Sequence, residues 1–144
     1  MNGFGAPGVG ALGYVDGLRV HLAQIPRRAA PLLLGDSLPR IDILSSYQDA
    51  SPRLVEAAVA SGAQALVVDG LGRGHVPPTW LEEIGEVTRA GVPVAVVSGC
   101  HEGPVNTSYE FPGSLASLQA HGAIPVRDLS ARKCSGKVNL ATWF

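Results

Sequence analysis

Two hydrophobic patterns run along the chain, and one gives way to the other near residue 40. In LGYVDGLRVHLAQ (residues 12–24) apolar and polar positions alternate around Asp16–Gly17. That is the signature of a β-hairpin with a tight turn. From Arg40 the pattern becomes strand, helix, strand, helix. RIDILSSY reads as a strand. Ser51 then suits a helix cap and Pro52 the first helical position, with PRLVEAAVAS behind them and Gly62 as the stop. QALVVDG and VPVAVVSG are short, nearly all-apolar runs, as strands covered on both faces should be. Between them, TWLEEIGEVTRA opens on a capping-box spacing, Thr79 to Glu82, and Gly91 closes it. A loop over 100–112, a short helix SLASLQAH stopped by Gly122, a brief AIPV segment and a helical stretch from Ser130 complete the chain.

Strands alternating with helices of this length require parallel pairing through right-handed crossovers. The expected fold class is α/β. It is a small three-layer, Rossmann-like sandwich of about four parallel strands flanked by helices, preceded by a β-hairpin arm and linker. The arm and linker are expected over 1–35, with Pro-bounded residues 26–39 as the connecting stretch. The α/β domain is expected over 36–144. A lone hairpin is marginal in water, so this arm is expected to pack on something. In parallel sheets ligands gather beyond the carboxyl ends of the strands. Three loops belong to that edge: 47–49, 70–77 and 98–110.

Bulk properties narrow the function classes. With 144 residues, 46% apolar and 16% charged, the chain supports one packed domain and is not disordered. Its net charge of −1, with 11 Lys and Arg scattered along it, argues against a nucleic-acid partner. No apolar segment approaches the ~20 residues of a membrane span, and the first residues carry no basic leader, so no membrane association is expected. Two cysteines, Cys100 and Cys134, make no disulfide framework and suit reduced thiols in a cytoplasmic protein.

Candidate chemistry concentrates in ALVVDGLGRGHVPP. Its glycines at 70, 72 and 74 invite a dinucleotide reading, but that fingerprint needs G-x-G-x-x-G in a first βαβ unit, and position 75 is His. A tight turn requiring positive φ is one alternative. A loop that lets main chain approach a ligand or a neighbouring protomer is the other. Cys100–His101–Glu102 packs three metal-ligand types together, but adjacent side chains diverge and no spaced pair accompanies them, so no metal and no cofactor are expected. Cys100 as a nucleophile would need His101 or His75 as its base; an inert, buried thiol at a strand end is the plainer reading. Glu110, between Tyr109 and Phe111, is either a solvated loop carboxylate or a binding group. No G-x-S-x-G elbow is present.

The order of these pieces resembles the C-terminal domain of bacterial-type L-asparaginases. NGFGAPGVGALGYVDGLRVHLAQIPRR is similar to the end of that family's N-terminal domain and the start of its linker. VVDGLGRGHVPPTW is similar to its glycine loop, GVPVAVVSGCHEGPVNTSYEFPGS to its next strand and substrate-side loop, and LQAHGAIPVRDLSARK to its terminal helical region. The resemblance implies an amidohydrolase that converts L-asparagine to L-aspartate and ammonia through an acyl-enzyme on threonine. It also implies an active site shared between protomers, so a homo-oligomer or a complementing catalytic chain is the expected partner. The family's T-G-G-T thread is absent from this chain, whose threonines are Thr79, Thr88, Thr107 and Thr142, so no catalytic residue is assigned. The resemblance places a substrate-binding Asn position on His75 and a Glu position on Glu110. Gly72, Arg73, Gly74 and Cys100 are then loop contacts. Ser98–Gly99 stands where many relatives read S-R, and Lys133–Cys134–Ser135 where they read K-A-R. The chain alone is expected to be inactive. The rival expectation is a non-catalytic binding module on the same fold, with the hairpin and Trp143–Phe144 as its interface.

Overall fold

The computed structural model describes residues 10–25 and 37–140. Strand-forming residues build β1 (Gly13–Asp16) and β2 (Arg19–Leu22), then β3 (Ile41–Ser45), β4 (Ala65–Gly70), β5 (Val94–Ser98) and β6 (Ile124–Pro125). Helices α1 (Arg53–Ala60), α2 (Trp80–Arg89) and α3 (Leu115–Ala120) connect the last four strands, and α4 (Ala131–Leu140) follows them. β3, β4, β5 and β6 lie in that order, every pairing parallel. The expected α/β class and parallel sheet are therefore present.

Side-chain alternation along β4 and β5 divides the core. Leu66, Val68, Val94 and Val96 face α1, α2 and α3, where Val55, Trp80, Ile84, Leu115 and Leu118 are fully buried. Ala65, Val67, Ala95 and Val97 face α4 through Ala131, Cys134 and Val138. Three connecting helices on one face are what sequential strand order with crossovers of one hand produces. The Trp80 indole N–H donates to the Ala50 carbonyl at 2.8 Å, so the largest core side chain leaves no polar atom unpaired.

Helix ends follow the sequence with one exception. Ser51 Oγ accepts from Arg53 N–H at 3.4 Å, and Gly62, Gly91 and Gly122 stand at positive φ just beyond α1, α2 and α3. The Thr79–Glu82 capping box does not form: Thr79 has helical φ −66 and ψ −17 and makes no side-chain cap bond. A capping side chain needs extended backbone. Here Trp80 N–H already donates to Pro77 O, and Leu81 N–H to Pro78 O, so the chain is winding before Thr79.

β1 and β2 pair antiparallel, with Asp16 opposite Arg19. The turn is thus Gly17–Leu18, one residue later than the Asp16–Gly17 centre expected, and Gly17 supplies positive φ at its first position. Residues 26–36 of the linker expected over 26–39, the glycine-rich start over 1–9 and Trp143–Phe144 lie outside the described residues.

Candidate functional site

β4 ends in a reversal that only a permissive backbone allows. Leu71 and His75 exchange two backbone hydrogen bonds of 2.8 Å, closing a turn with Gly72 at φ +53 and Gly74 at φ +95. A side chain at either position would be strained in this left-handed region. The tight-turn alternative is therefore realised. The Ser98 hydroxyl, one strand over, donates to the Gly72 carbonyl and accepts from Cys100 N–H at 3.0 Å. One side chain at the end of β5 thus ties both loops together.

The loop before α3 forms the opposite wall. Val76 N–H donates to Gly113 O at 2.9 Å. Gly113 stands at φ +89, and a Cβ there would lie 2.3 Å from Val76 O, so the two chains cross where only glycine fits. Ser114 caps α3, accepting from Ser117 N–H at 3.2 Å, and Ser117 Oγ donates to Phe111 O at 3.2 Å. These bonds hold Phe111 and Tyr109 against His75, with ring centroids 5.0 and 5.6 Å apart in edge-on geometry.

His75 is held from a second side. Its Nδ1 accepts from the Leu115 backbone N–H, the first of α3, at 3.2 Å. Burial, and then the Arg73 charge, hold its imidazole below the ordinary histidine range. The Arg73 guanidinium carbon lies 5.8 Å from the Tyr109 ring centre. Gly72, Arg73, His75, Tyr109 and Phe111 together line an open cavity of about 340 Å³ at the carboxyl edge of the sheet.

Of the residues singled out by sequence, Gly72, Arg73 and His75 are brought together. Gly74 shares their turn but faces Val96, Val105 and Leu115 in the core. Glu110 is exposed and off the cavity lining. Cys100 is also off the lining and is exposed, not buried as the plainer sequence reading had it. The buried thiol is Cys134, which burial pushes up and keeps protonated. Among the described residues no three His, Cys, Asp or Glu side chains gather as a metal site requires. Sequence reasoning passed over Tyr109 and Phe111 as lining residues and Ser98 as the tie. The i, i+2 spacing of the two aromatics was the available signal, since an extended segment sends alternate side chains to opposite sides. Glu110, between them, is not part of that lining.

The Glutaminase/Asparaginase C-terminal domain family matches residues 40–142, a stretch that contains the whole cavity. An L-asparaginase of Bacillus licheniformis is 32% identical over 138 residues, covering 96% of this chain and 43% of that protein. A component of the glutamyl-tRNA(Gln) amidotransferase of Methanothermobacter thermautotrophicus is 34% identical over 116 residues, 79% of this chain and 26% of that one. The crystal structure of a probable cytoplasmic L-asparaginase from Campylobacter jejuni superposes with a TM-score of 0.76 at 29% identity, over 94% of this chain and 42% of that one. The chain thus spans less than half the length of these relatives. No helix among the described residues is long and apolar enough to cross a membrane. With strand order, glycine turn and family match in agreement, the chain belongs to the glutaminase/asparaginase C-terminal domain family.

Proposed function

We propose that this chain supplies the substrate-holding, non-nucleophilic part of an asparaginase-type amidohydrolase. The observation that carries the reading is an open cavity at the carboxyl ends of β4 and β5, inside the family-matched stretch. A wall without a nucleophile is complete only when another domain closes it. Residues 36–144 are the domain that presents this wall, and residues 1–35 are the arm leading to the catalytic part. His75 faces the substrate's charged amino-acid end, and exposed Glu110 meets its ammonium across the junction. The substrate is L-asparagine or a similar side-chain amide, released as the acid and ammonia. The partner is a catalytic domain or a second copy of this chain. Two free cysteines and the relative named as cytoplasmic support a cytoplasmic setting.

An ammonia-release assay with L-asparagine tests this. The purified chain is expected to release none. Adding the catalytic domain of an asparaginase in trans should restore release, and Glu110→Ala should reduce it again. Turnover by the chain alone would overturn the proposal. The rival reading, a non-catalytic interaction module, draws on the hairpin, where Val15, Val20 and Leu22 form an exposed apolar face. It predicts an oligomer that dissociates when residues 1–35 are removed and gains no activity from the added domain.

A further inference from the structure

We propose that the groove between β6 and α4 binds a single-chain anionic amphiphile, a medium-chain carboxylate. Its chain lies on Ile124, Val126, Leu129 and Val138, and its head meets Arg127 and Lys137. The groove shares no residue with the cavity at His75, and the proposal does not depend on the amidohydrolase reading.

Uneven cover of the sheet creates the groove. α1, α2 and α3 bury one face, while α4 alone serves the other. α4 packs mainly over β3 and β4, so β6, at the edge of the sheet, is the strand it covers least. Ile124 and Val126, two residues apart on that face, stay half-buried, as does Leu129. With Cys134 and Val138 of α4 they line a cavity of about 440 Å³. Small-molecule sites are apolar clefts of roughly 300–1,000 Å³ with a few placed polar groups.

The charges choose the ligand. Arg127 and Lys137 belong to the lining, and no acidic side chain does. Neither cation enters an ion pair; among the described residues Arg40–Asp42 is the one such pair. Arg132 and Lys133 add to the positive charge along α4, and Asp128 is exposed and off the lining. The Lys137 charge reaches the Cys134 thiol, where it opposes the rise that burial causes, so the ammonium stands close to the apolar floor. Lys137 also suits the last turn of α4 through the helix dipole. Arg127, ahead of the helix, has no such role.

Backbone geometry argues against a peptide strand here. Val126 N–H donates inward to Val96 O at 2.8 Å, and Ile124, two residues earlier, points the same way. The outward position is Pro125, which has no N–H to give. A strand added to this edge would find no backbone donor in β6. A membrane surface does not reach the floor of a groove walled by α4 on one side and β6 on the other. One acyl chain does, needing no hydrogen bonds along its length, while its carboxylate accepts from both cations.

The test uses the full chain, ¹⁵N-labelled, titrated at neutral pH with decanoate below its micelle concentration. Decanol, decyltrimethylammonium, acetate and inorganic phosphate are titrated separately. Decanoate is expected to shift the amides of Ile124, Val126, Leu129, Lys137 and Val138 saturably, one molecule per chain. Decanol should bind more weakly and decyltrimethylammonium more weakly still. Lys137→Gln, at an exposed position, should weaken decanoate about tenfold, the loss of one charge-assisted contact, and leave decanol unchanged. Arg127→Gln should do the same. The unshifted remainder of each spectrum shows that the variant is folded. No saturable shift from decanoate, or shifts at Val15, Val20 and Leu22 of the hairpin instead, overturn the proposal. Decanol or decyltrimethylammonium binding as tightly as decanoate also overturns it, because the cations then select nothing. Acetate or phosphate binding as tightly as decanoate shows an adventitious ion only and overturns it too. A dimer in sedimentation whose groove amides ignore decanoate places a second copy there and has the same force.

Discussion

Valine appears in two places in this molecule with opposite fates. Val68 in β4 is completely buried, whereas Val20 in β2 keeps 68% of its surface exposed. Both lie in well-paired strands, so strand formation does not distinguish them. The parallel strands are joined by helices, and each crossover brings its own cover. The hairpin is joined by a two-residue turn that brings none. It satisfies its own backbone and leaves Val15, Val20 and Leu22 on one apolar face, with Tyr14 and His21 stacked at 4.8 Å on the other. A pairing pattern alone therefore makes a strand, and the connection decides whether that strand becomes core.

The contrast can be tested from its strongest consequence downward. Trp80→Ala removes the largest fully buried side chain, together with its bond to Ala50. It should cost about 3–5 kcal/mol in urea denaturation, enough to unfold much of the population. Gly113→Ala places a Cβ against Val76 O at positive φ. A loss of about 1–3 kcal/mol is expected from the backbone strain, with the contact adding to it. A smaller loss would mean that the two walls yield independently.

Acidification should act on the cavity through His75. The folded pKa of His75 lies below its unfolded value, so the unfolded state binds the extra proton more readily. Stability from the neutral ring is complete above about pH 6.5 and is lost as pH falls from there through the folded pKa. Protonation also takes the Nδ1 lone pair that accepts from Leu115. Melting temperature should drop over that window in the native chain and drop less in His75→Phe. At the bottom of the scale, Val20→Ser should change the stability of the isolated chain by less than about 0.5 kcal/mol. If the hairpin face is a contact surface, the same substitution should weaken assembly in sedimentation. A cost near that of Trp80→Ala would place the hairpin inside the body and dissolve the comparison.

Much of the sheet was legible because its signals are local. The apolar runs QALVVDG and VPVAVVSG announce buried strands, and Gly62, Gly91 and Gly122 mark helix ends within the chain's own neighbourhood. Thr79 shows the limit of such signals. Its spacing to Glu82 fits a capping box, yet the two prolines before it start the helical winding early. The site was legible in part. The glycines at 70, 72 and 74 offered a tight turn as one of two alternatives, and the structure chose it. His75 bonded to Leu115, 40 residues away, cannot be read from spacing, because the sheet and α3 bring them together.

The order of apolar and polar residues by itself determined strands and helices, which depend on neighbours a few residues apart, and the lengths of the connections implied parallel pairing. Only the tertiary structure decided that Tyr109 and Phe111, not Glu110, close on His75, and that Gly113 is the point where two loops cross. Those outcomes depend on distances across the sheet edge, and such distances exist only after the crossovers have packed.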